Sequence, residues 1–182
     1  RARWRCAVPD PSLSEALREA YASAPADEVV YHTLELRHAA FTQPIRVVRD
    51  NADLTARLEA TAAENPGEMV TFVGFGFDLT KPEVSATGVP QCSIEIDNVS
   101  REILANVELA MTGIDPIMVT YREYLASDLE GPQNDPPMTL TVVSISADVF
   151  RVRAVASYPD ISNRRFPRED YTTERFPGLV AQ

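Results

Sequence analysis

Lysine is all but missing from this sequence: Lys81 is the single lysine among 17 lysine and arginine residues. Codon usage in a GC-rich genome explains that bias most simply, the other reading being arginine kept for planar, bidentate pairing. Cysteine is as scarce. Cys6 and Cys92 are the only two, and they lack the spacing of a disulfide framework or a zinc site. Long apolar runs are absent too. The longest, residues 69–77, holds two glycines and is far too short to cross a bilayer. Positive charge is in deficit, with 27 acidic residues against 17 basic and a net charge of −10. That balance argues against nucleic-acid binding through a basic face. The N-terminal Arg1, Arg3 and Arg5 around Trp4 are basic, but no apolar stretch follows, which argues against a signal peptide. No internal repeat, low-complexity tract or long linker interrupts the 182 residues, so the chain is expected to form one domain with trailing arms.

What is present suits a core, since 45% of the residues are hydrophobic. Residues 12–24 read as a helix, with Ser12 and Glu15 as a capping box and Leu13, Ala16, Leu17, Ala20, Tyr21 and Ala24 on one face. Residues 28–38 alternate as a strand, with Val30, His32, Leu34 and Leu36 facing one way and Tyr31, Thr33, Glu35 and Arg37 the other. Strands follow at 45–49, 54–61, 69–79 and 92–97, with turns at Asp50-Asn51 and Asn65-Pro66-Gly67. In the 69–79 strand, Val73, Phe75, Phe77 and Leu79 are expected to share a face. Asn98 or Ser100 opens a second helix that runs through Met111, with Ile103, Leu104, Val107 and Met111 inward, and Gly113 ends it. Residues 117–125 and 138–155 complete the strands, the latter as a hairpin turning near Ala147-Asp148. The expected fold is mostly β with minor α: a small, antiparallel, partly open barrel of six or seven strands with an N-terminal helix and one inserted helix. Its divisions are an N-terminal arm (1–11), a barrel-like body (12–157) and an extended C-terminal docking arm (158–182).

Few residues invite chemistry. Gly74 and Gly76 form a GxG inside a strand, without the following helix that a phosphate loop needs, so they are read as relief for aromatic side chains or strand curvature. His32 and His38 could share a face, yet no third ligand has suitable spacing, and a partly buried strand histidine is the better account. Glu95 and Asp97 alternate with Ile94 and Ile96, which places them on a solvated outward face rather than in an acid–base pair. No nucleophile elbow or cysteine–histidine pairing is evident. The expectation is a protein without catalytic residues, metal or cofactor. The C-terminal stretch is more informative, because Phe166-Pro167 and Phe176-Pro177-Gly178 set two aromatic–proline anchors ten residues apart among charges. With Arg168 and Arg175 beside them, Phe166, Pro167, Phe176 and Pro177 are the expected protein-interface residues.

The element order carries a resemblance. An amphipathic helix precedes the strand Tyr31-His32-Thr33-Leu34-Glu35-Leu36-Arg37-His38, then Gly76-Phe77-Asp78-Leu79 and a strand ending Ile96-Asp97-Asn98-Val99-Ser100. A helix, Gly113, the strand Met118-Val119-Thr120-Tyr121-Arg122-Glu123 and a final Phe176-Pro177-Gly178 complete it. Over residues 12–179 this order resembles the small phage tail proteins of the DUF1833 family. It is also similar to the N-terminal part of hub-type minor tail proteins such as the lambda tail-tip protein L. The resemblance implies a structural minor tail protein of a long-tailed bacteriophage, assembled in the host cytoplasm into the virion tail tip. There it would link the tail tube to the central receptor-binding hub. Implied partners are copies of itself in a three-fold or six-fold ring, a distal tail or tube protein, the central hub and the tape measure, with no membrane and no nucleic acid. The L-type proteins carry a cysteine-rich iron–sulfur segment whose cysteines are not found here, so no cluster is expected. The alternative reading is a receptor- or carbohydrate-binding β-module, which aromatic platforms for sugar stacking would favour.

Overall fold

The computed structural model describes residues 11–23, 25, 28–80, 91–97, 109–110, 115–148 and 151–158. A helix, α1 (Glu15–Ser23), is followed by β1 (Val30–Arg37), β2 (Ile45–Val48), β3 (Leu54–Arg57), β4 (Met69–Gly74) and β5 (Phe77–Thr80). Then come β6 (Gln91–Asp97), β7 (Met118–Leu125), β8 (Met138–Ala147) and β9 (Arg151–Ser157). They form one nine-stranded sheet in the order β3-β4-β2-β1-β7-β8-β9-β6-β5, antiparallel except where β2 pairs with β4. The sheet is not closed, and its character is that of a partly open barrel. Of the residues expected to form the inserted helix, Leu109 and Ala110 are described and helical; the others, both terminal arms beyond Pro11 and Tyr158, and Trp4 and Cys6 lie outside the described residues.

The strand count exceeds the six or seven expected, and the run 69–79 shows why. Alternation reads as one strand, but the chain bends at Phe75 and Gly76. Its first half pairs with β2 and β3, and its second half with β6 at the far end of the sheet. Phe75 N donates to Val48 O at 3.0 Å, and Asp97 N donates to Gly76 O at 2.9 Å, so the bend itself joins the two ends. The inward face is also revised: Phe77 is buried, with Phe75 and Leu79 partly buried against the same core, but Val73 is exposed. Of the two glycines, Gly74 has the stricter requirement. A Cβ there would stand 3.0 Å from the Asp50 carbonyl and from the Ala52 backbone, whereas one at Gly76 meets nothing.

Two cores result. The inner one gathers Leu34, Leu36, Val47, Phe77, Ile94, Ile96, Val119, Leu140 and Ala156 from strands across the whole sheet. The outer one packs Leu54, Ala56, Leu58, Val70 and Phe72 against Val48 and Tyr124, so the β3–β4 ribbon lies over the outside of β2 and β7. Strands β1 and β7 are therefore covered on both faces. Thr33 and Glu35, with Arg122 and Thr120 opposite them, are all buried although their alternation reads as a polar face, and Glu123 on the other face is buried too.

Helix α1 begins later than the capping box suggests. Residues 12–14 stay extended against 133–135, with Ser14 N donating to Gln133 O at 2.8 Å and Asp135 N to Ser12 O at 2.7 Å. Ser14 then becomes the cap, its Oγ accepting from Leu17 N at 3.1 Å. Among the described residues of the anticipated apolar face only Leu17 is fully buried, while Ala16 and Tyr21 stay exposed. The Asn65-Pro66-Gly67 turn is found as read, with Asn65 and Gly67 at φ 53° and 70°, left-handed values that asparagine and glycine tolerate best.

The two phenylalanines at the bend should differ in weight. Phe77→Ala is expected to cost about 3–5 kcal/mol of unfolding free energy, and Phe75→Ala clearly less, because Phe75 is only partly buried. Urea denaturation of the two single variants checks this; equal losses would show that the bend, not Phe77, anchors the inner core.

Candidate functional site

Two polar clusters lie on opposite faces of the β1–β7 pair. On the outer face, Glu35 of β1 is fully buried and clasped by three guanidinium groups. Arg46, its direct cross-strand partner on β2, donates to Glu35 Oε2 at 2.8 Å. Arg37 and Arg122 approach Oε1 at 3.3 Å and 3.7 Å. Arg122 forks onto Glu59 with bonds of 2.7 Å and 2.8 Å, which draws the loop after β3 onto the sheet. Burial alone would raise the Glu59 pKa, but the hydrogen bonds and charge of Arg122 overcome it and hold the carboxyl below its ordinary value.

On the inner face, register places His32 of β1 opposite Glu123 of β7, with Tyr121 two residues before it on the same face. Tyr121 donates its hydroxyl proton to Glu123 Oε1. The 2.7 Å contact from Tyr121 oxygen to His32 Nδ1 then requires the proton on that nitrogen. The histidine and tyrosine rings stack, with centroids 6.0 Å apart and planes 11° from parallel. Tyr21 reaches down from α1 and donates to the same Glu123 oxygen at 3.0 Å. Burial, reinforced by the charge of Glu123, pushes both phenol pKa values far above their usual range, so both hydroxyls remain donors. The end of β7 is fixed by Asn134, whose buried side chain accepts from Glu123 N at 3.0 Å and donates to Tyr121 O at 3.1 Å, as a neighbouring strand would.

Above this chain of hydrogen bonds lies a cavity of about 300 Å³, lined by Tyr21, His32, Arg49, Phe77, Leu79 and Tyr121. It sits where α1, the ends of β1 and β2, and β5 meet. Its lining combines aromatic and aliphatic side chains with a few polar groups.

The residues singled out from the sequence fall elsewhere, apart from His32. His38 donates from Nε2 to Asp115 O at 2.9 Å and accepts at Nδ1 from Ala40 N at 3.1 Å. Glu95 and Asp97 do share the outward face of β6, paired with Arg151 and Arg153 of β9. Cys92 is buried, which pushes its thiol up to about 11. No group of three or more His, Cys, Asp or Glu among the described residues is placed to hold a metal. The expected interface residues Phe166, Pro167, Arg168, Arg175, Phe176 and Pro177 lie outside the described residues. Sequence reasoning missed Arg49, Tyr121 and Glu123. The signal available for the last two was a tyrosine and a carboxylate two residues apart, hence on one face, in the strand Met118–Leu125.

The fold defines a β-rich domain with a small cavity at one end of an incompletely closed sheet. The family model for a domain of unknown function, DUF1833, matches residues 16–171, and the chain belongs to that family. No curated protein matches the chain.

Glu35→Gln is expected to cost about 3–5 kcal/mol, because the buried Arg122 then keeps Glu59 as its one carboxylate, while the half-buried Arg37 and Arg46 lose the carboxylate they face. Glu59→Gln should act through pH. Its folded pKa is depressed, so its contribution is complete above the unfolded carboxylate value of about 4.3 and fades as pH falls through the folded one. Wild type should therefore lead this variant at neutral pH and converge with it below about pH 4. Melts of both across that range check the sign, and a gap that widens in acid would refute the assignment.

Proposed function

We propose that this protein is a structural minor tail protein of a long-tailed bacteriophage tail tip, forming a homo-oligomeric ring between the tail tube and the central hub. The role is one of assembly, not catalysis. The observation that carries the reading is the open sheet. It ends on β3, a four-residue edge strand beside which Met69 and Val73 of β4 stand exposed. Among the described residues no further strand pairs with the free side of β3, although Arg57 at its end bonds to Leu129, and an edge flanked by exposed apolar side chains suits strand-to-strand or face contact with a neighbouring copy. The element order behind the phage-tail resemblance is also supported: the helix start, β1, the Phe77 strand, β6 and β7 follow one another as that order requires. The family match takes in these elements together with Phe166, Pro167 and Arg168.

In this reading the anchors beyond Tyr158 dock onto a neighbour, where loss of an aromatic or arginine centre costs roughly 2 kcal/mol or more. Deleting residues 166–182 is expected to leave the β circular-dichroism signal intact and to abolish assembly of infectious tails in a complementation assay. A truncated protein that loses its β-signal would put the arm in its own domain's core. One that still complements would make the arm dispensable. Either result removes the docking role.

A further inference from the structure

Helix α1 carries more apolar surface than the sheet covers. Leu17 is its buried contact, yet Ala16 is exposed and Ala20, one turn on, is half-buried. Beside them a groove of about 330 Å³ runs between α1 and the end of β7, with Ala16, Ala20, Pro25 and Leu125 as its apolar wall. Two carboxylates line it as well, Glu19 on α1 and Glu28 just ahead of β1. Ser127 donates to Glu28 Oε1 from its backbone N at 3.2 Å and from its hydroxyl at 3.1 Å, which holds that carboxylate in place. The ion-paired arginines among the described residues are engaged with other carboxylates. We propose that this groove receives residues 164–168 of a neighbouring copy, with Phe166 and Pro167 on the apolar wall and the flanking arginines on Glu19 and Glu28. The inference rests on the tail-tip reading, in which the arm docks onto a neighbour, and gives that arm its receptor.

Three observations commit the groove to this occupant. The first is charge. With 27 acidic residues against 17 basic, one copy repels another over most of its surface. Arg164-Arg165-Phe166-Pro167-Arg168 is the exception, three positive charges in five residues with no acid among them. At the second anchor, Glu174 offsets Arg175. A cationic segment meeting Glu19 and Glu28 therefore turns a repulsive approach into an attractive one and fixes its orientation. The second is shape. A wall of methyl groups and one proline ring lets an extended backbone come close, and the groove has room for one aromatic side chain and its proline, not for a folded partner. Proline has already fixed its own φ, so the Phe-Pro pair loses little freedom on docking. The third is reach. Ser157 of β9 lies level with Thr141 of β8, and Thr141 with Met118 at the start of β7. The groove is at Leu125, the other end of β7, about 23 Å further along and about 10 Å across. A chain from Ser157 to Phe166 spans at most about 30 Å when fully extended. Its own groove is thus reached only by a straight run with almost no slack, a demand that a neighbour's groove does not make.

Cysteine trapping between two differently tagged full-length variants tests the proposal, with Cys6→Ser in both and Cys92 buried. Ser23→Cys puts a thiol in the groove lining, and Glu169→Cys puts one directly after the docking segment. Because a disulfide requires Cα atoms within about 7 Å, the pair reports position as well as association. Mixed under mild oxidation, the two variants are expected to give a disulfide-linked heterodimer. Adding Phe166→Ala to the arm, or Ala16→Arg to the groove, should lower its yield roughly tenfold or more. Ala16 is exposed, so a melt matching wild type verifies that Ala16→Arg leaves the fold intact. Thr71→Cys, on the exposed face of the β3–β4 ribbon, should trap the arm far less than Ser23→Cys does. The proposal is overturned by equal trapping at Thr71→Cys, by trapping that Ala16→Arg leaves unchanged, or by no trapping at all. It is also overturned if one chain carrying both Ser23→Cys and Glu169→Cys closes its disulfide internally, since the arm then covers its own groove. Should any of these occur while deletion of residues 166–182 still abolishes infectious tails, the arm docks elsewhere and the tail-tip reading stands. A deletion variant that complements removes the docking role itself, so the two failures are told apart.

Discussion

The rest of the architecture depends on Glu35. A carboxylate with no exposure to solvent, in the interior strand β1, is tolerable only because Arg46, Arg37 and Arg122 converge on it. Those three arginines come from β2, β1 and β7, so the charge cluster holds three adjacent strands in one register. A slip of one residue would move Glu35 to the inner face, among Leu34, Leu36 and Val119, where no cation waits. Buried ion pairs contribute little net stability when set against hydrophobic replacements, and their clearer effect is to make alternatives worse. That is how the cluster acts here. It leaves the transfer of apolar surface to the two cores and fixes which strand pairs with which.

From that register the inner face follows. Once β1 and β7 are locked, His32 stands opposite Glu123, and Tyr121 falls between them as donor to one and acceptor from the other. The same carboxylate binds Tyr21, so helix α1 is held on this end of the sheet by a hydrogen bond to the central pair as well as by Leu17. The cavity is a consequence: α1 must lean across the sheet end to reach Glu123, and β5 closes the other side because the 69–80 run bends there.

How much of this was legible in the sequence depended on whether an element answered to one environment or two. Strand β6 has a buried face and a solvated face, and its alternation placed Glu95 and Asp97 outward, where they are. The β8–β9 hairpin, the turn at Asn65 and the leading helix were legible for the same reason, each being governed by local chemistry. Strands β1 and β7 answer to two environments, the inner core and the β3–β4 ribbon, so polar residues there do not mark a surface. No local signal says that Glu35 will find three arginines. The bend at Phe75 and Gly76 was hidden because alternation continues through it unbroken, while the hydrogen-bond partners change from β2 to β6. The cap at Ser14 was missed since the pairing of residues 12–14 with 133–135 is long-range. The site was largely illegible: His32 was visible as a residue, but its partners are set by β1–β7 register.

The scarcity of lysine acquires a physical meaning at this point. Among the described arginines, Arg37, Arg46, Arg49, Arg57, Arg122, Arg151 and Arg153 all pair with carboxylates, and Arg18 donates from Nε to Ser14 O. At Arg122 the pairing uses the planar fork, Nε and Nη2 on the two oxygens of Glu59, with a further approach to Glu35. An ammonium group is a compact, strongly hydrated point charge and would meet Glu59 and Glu35 only by losing more hydration for fewer directed bonds. Codon bias can fill a surface with arginine, but it does not by itself arrange two carboxylates around one buried guanidinium. At the exposed ladder of Arg151 and Arg153 lysine would serve nearly as well, since surface pairs contribute little. The buried clasp is where the choice of arginine matters, and the order of the central strands rests on it.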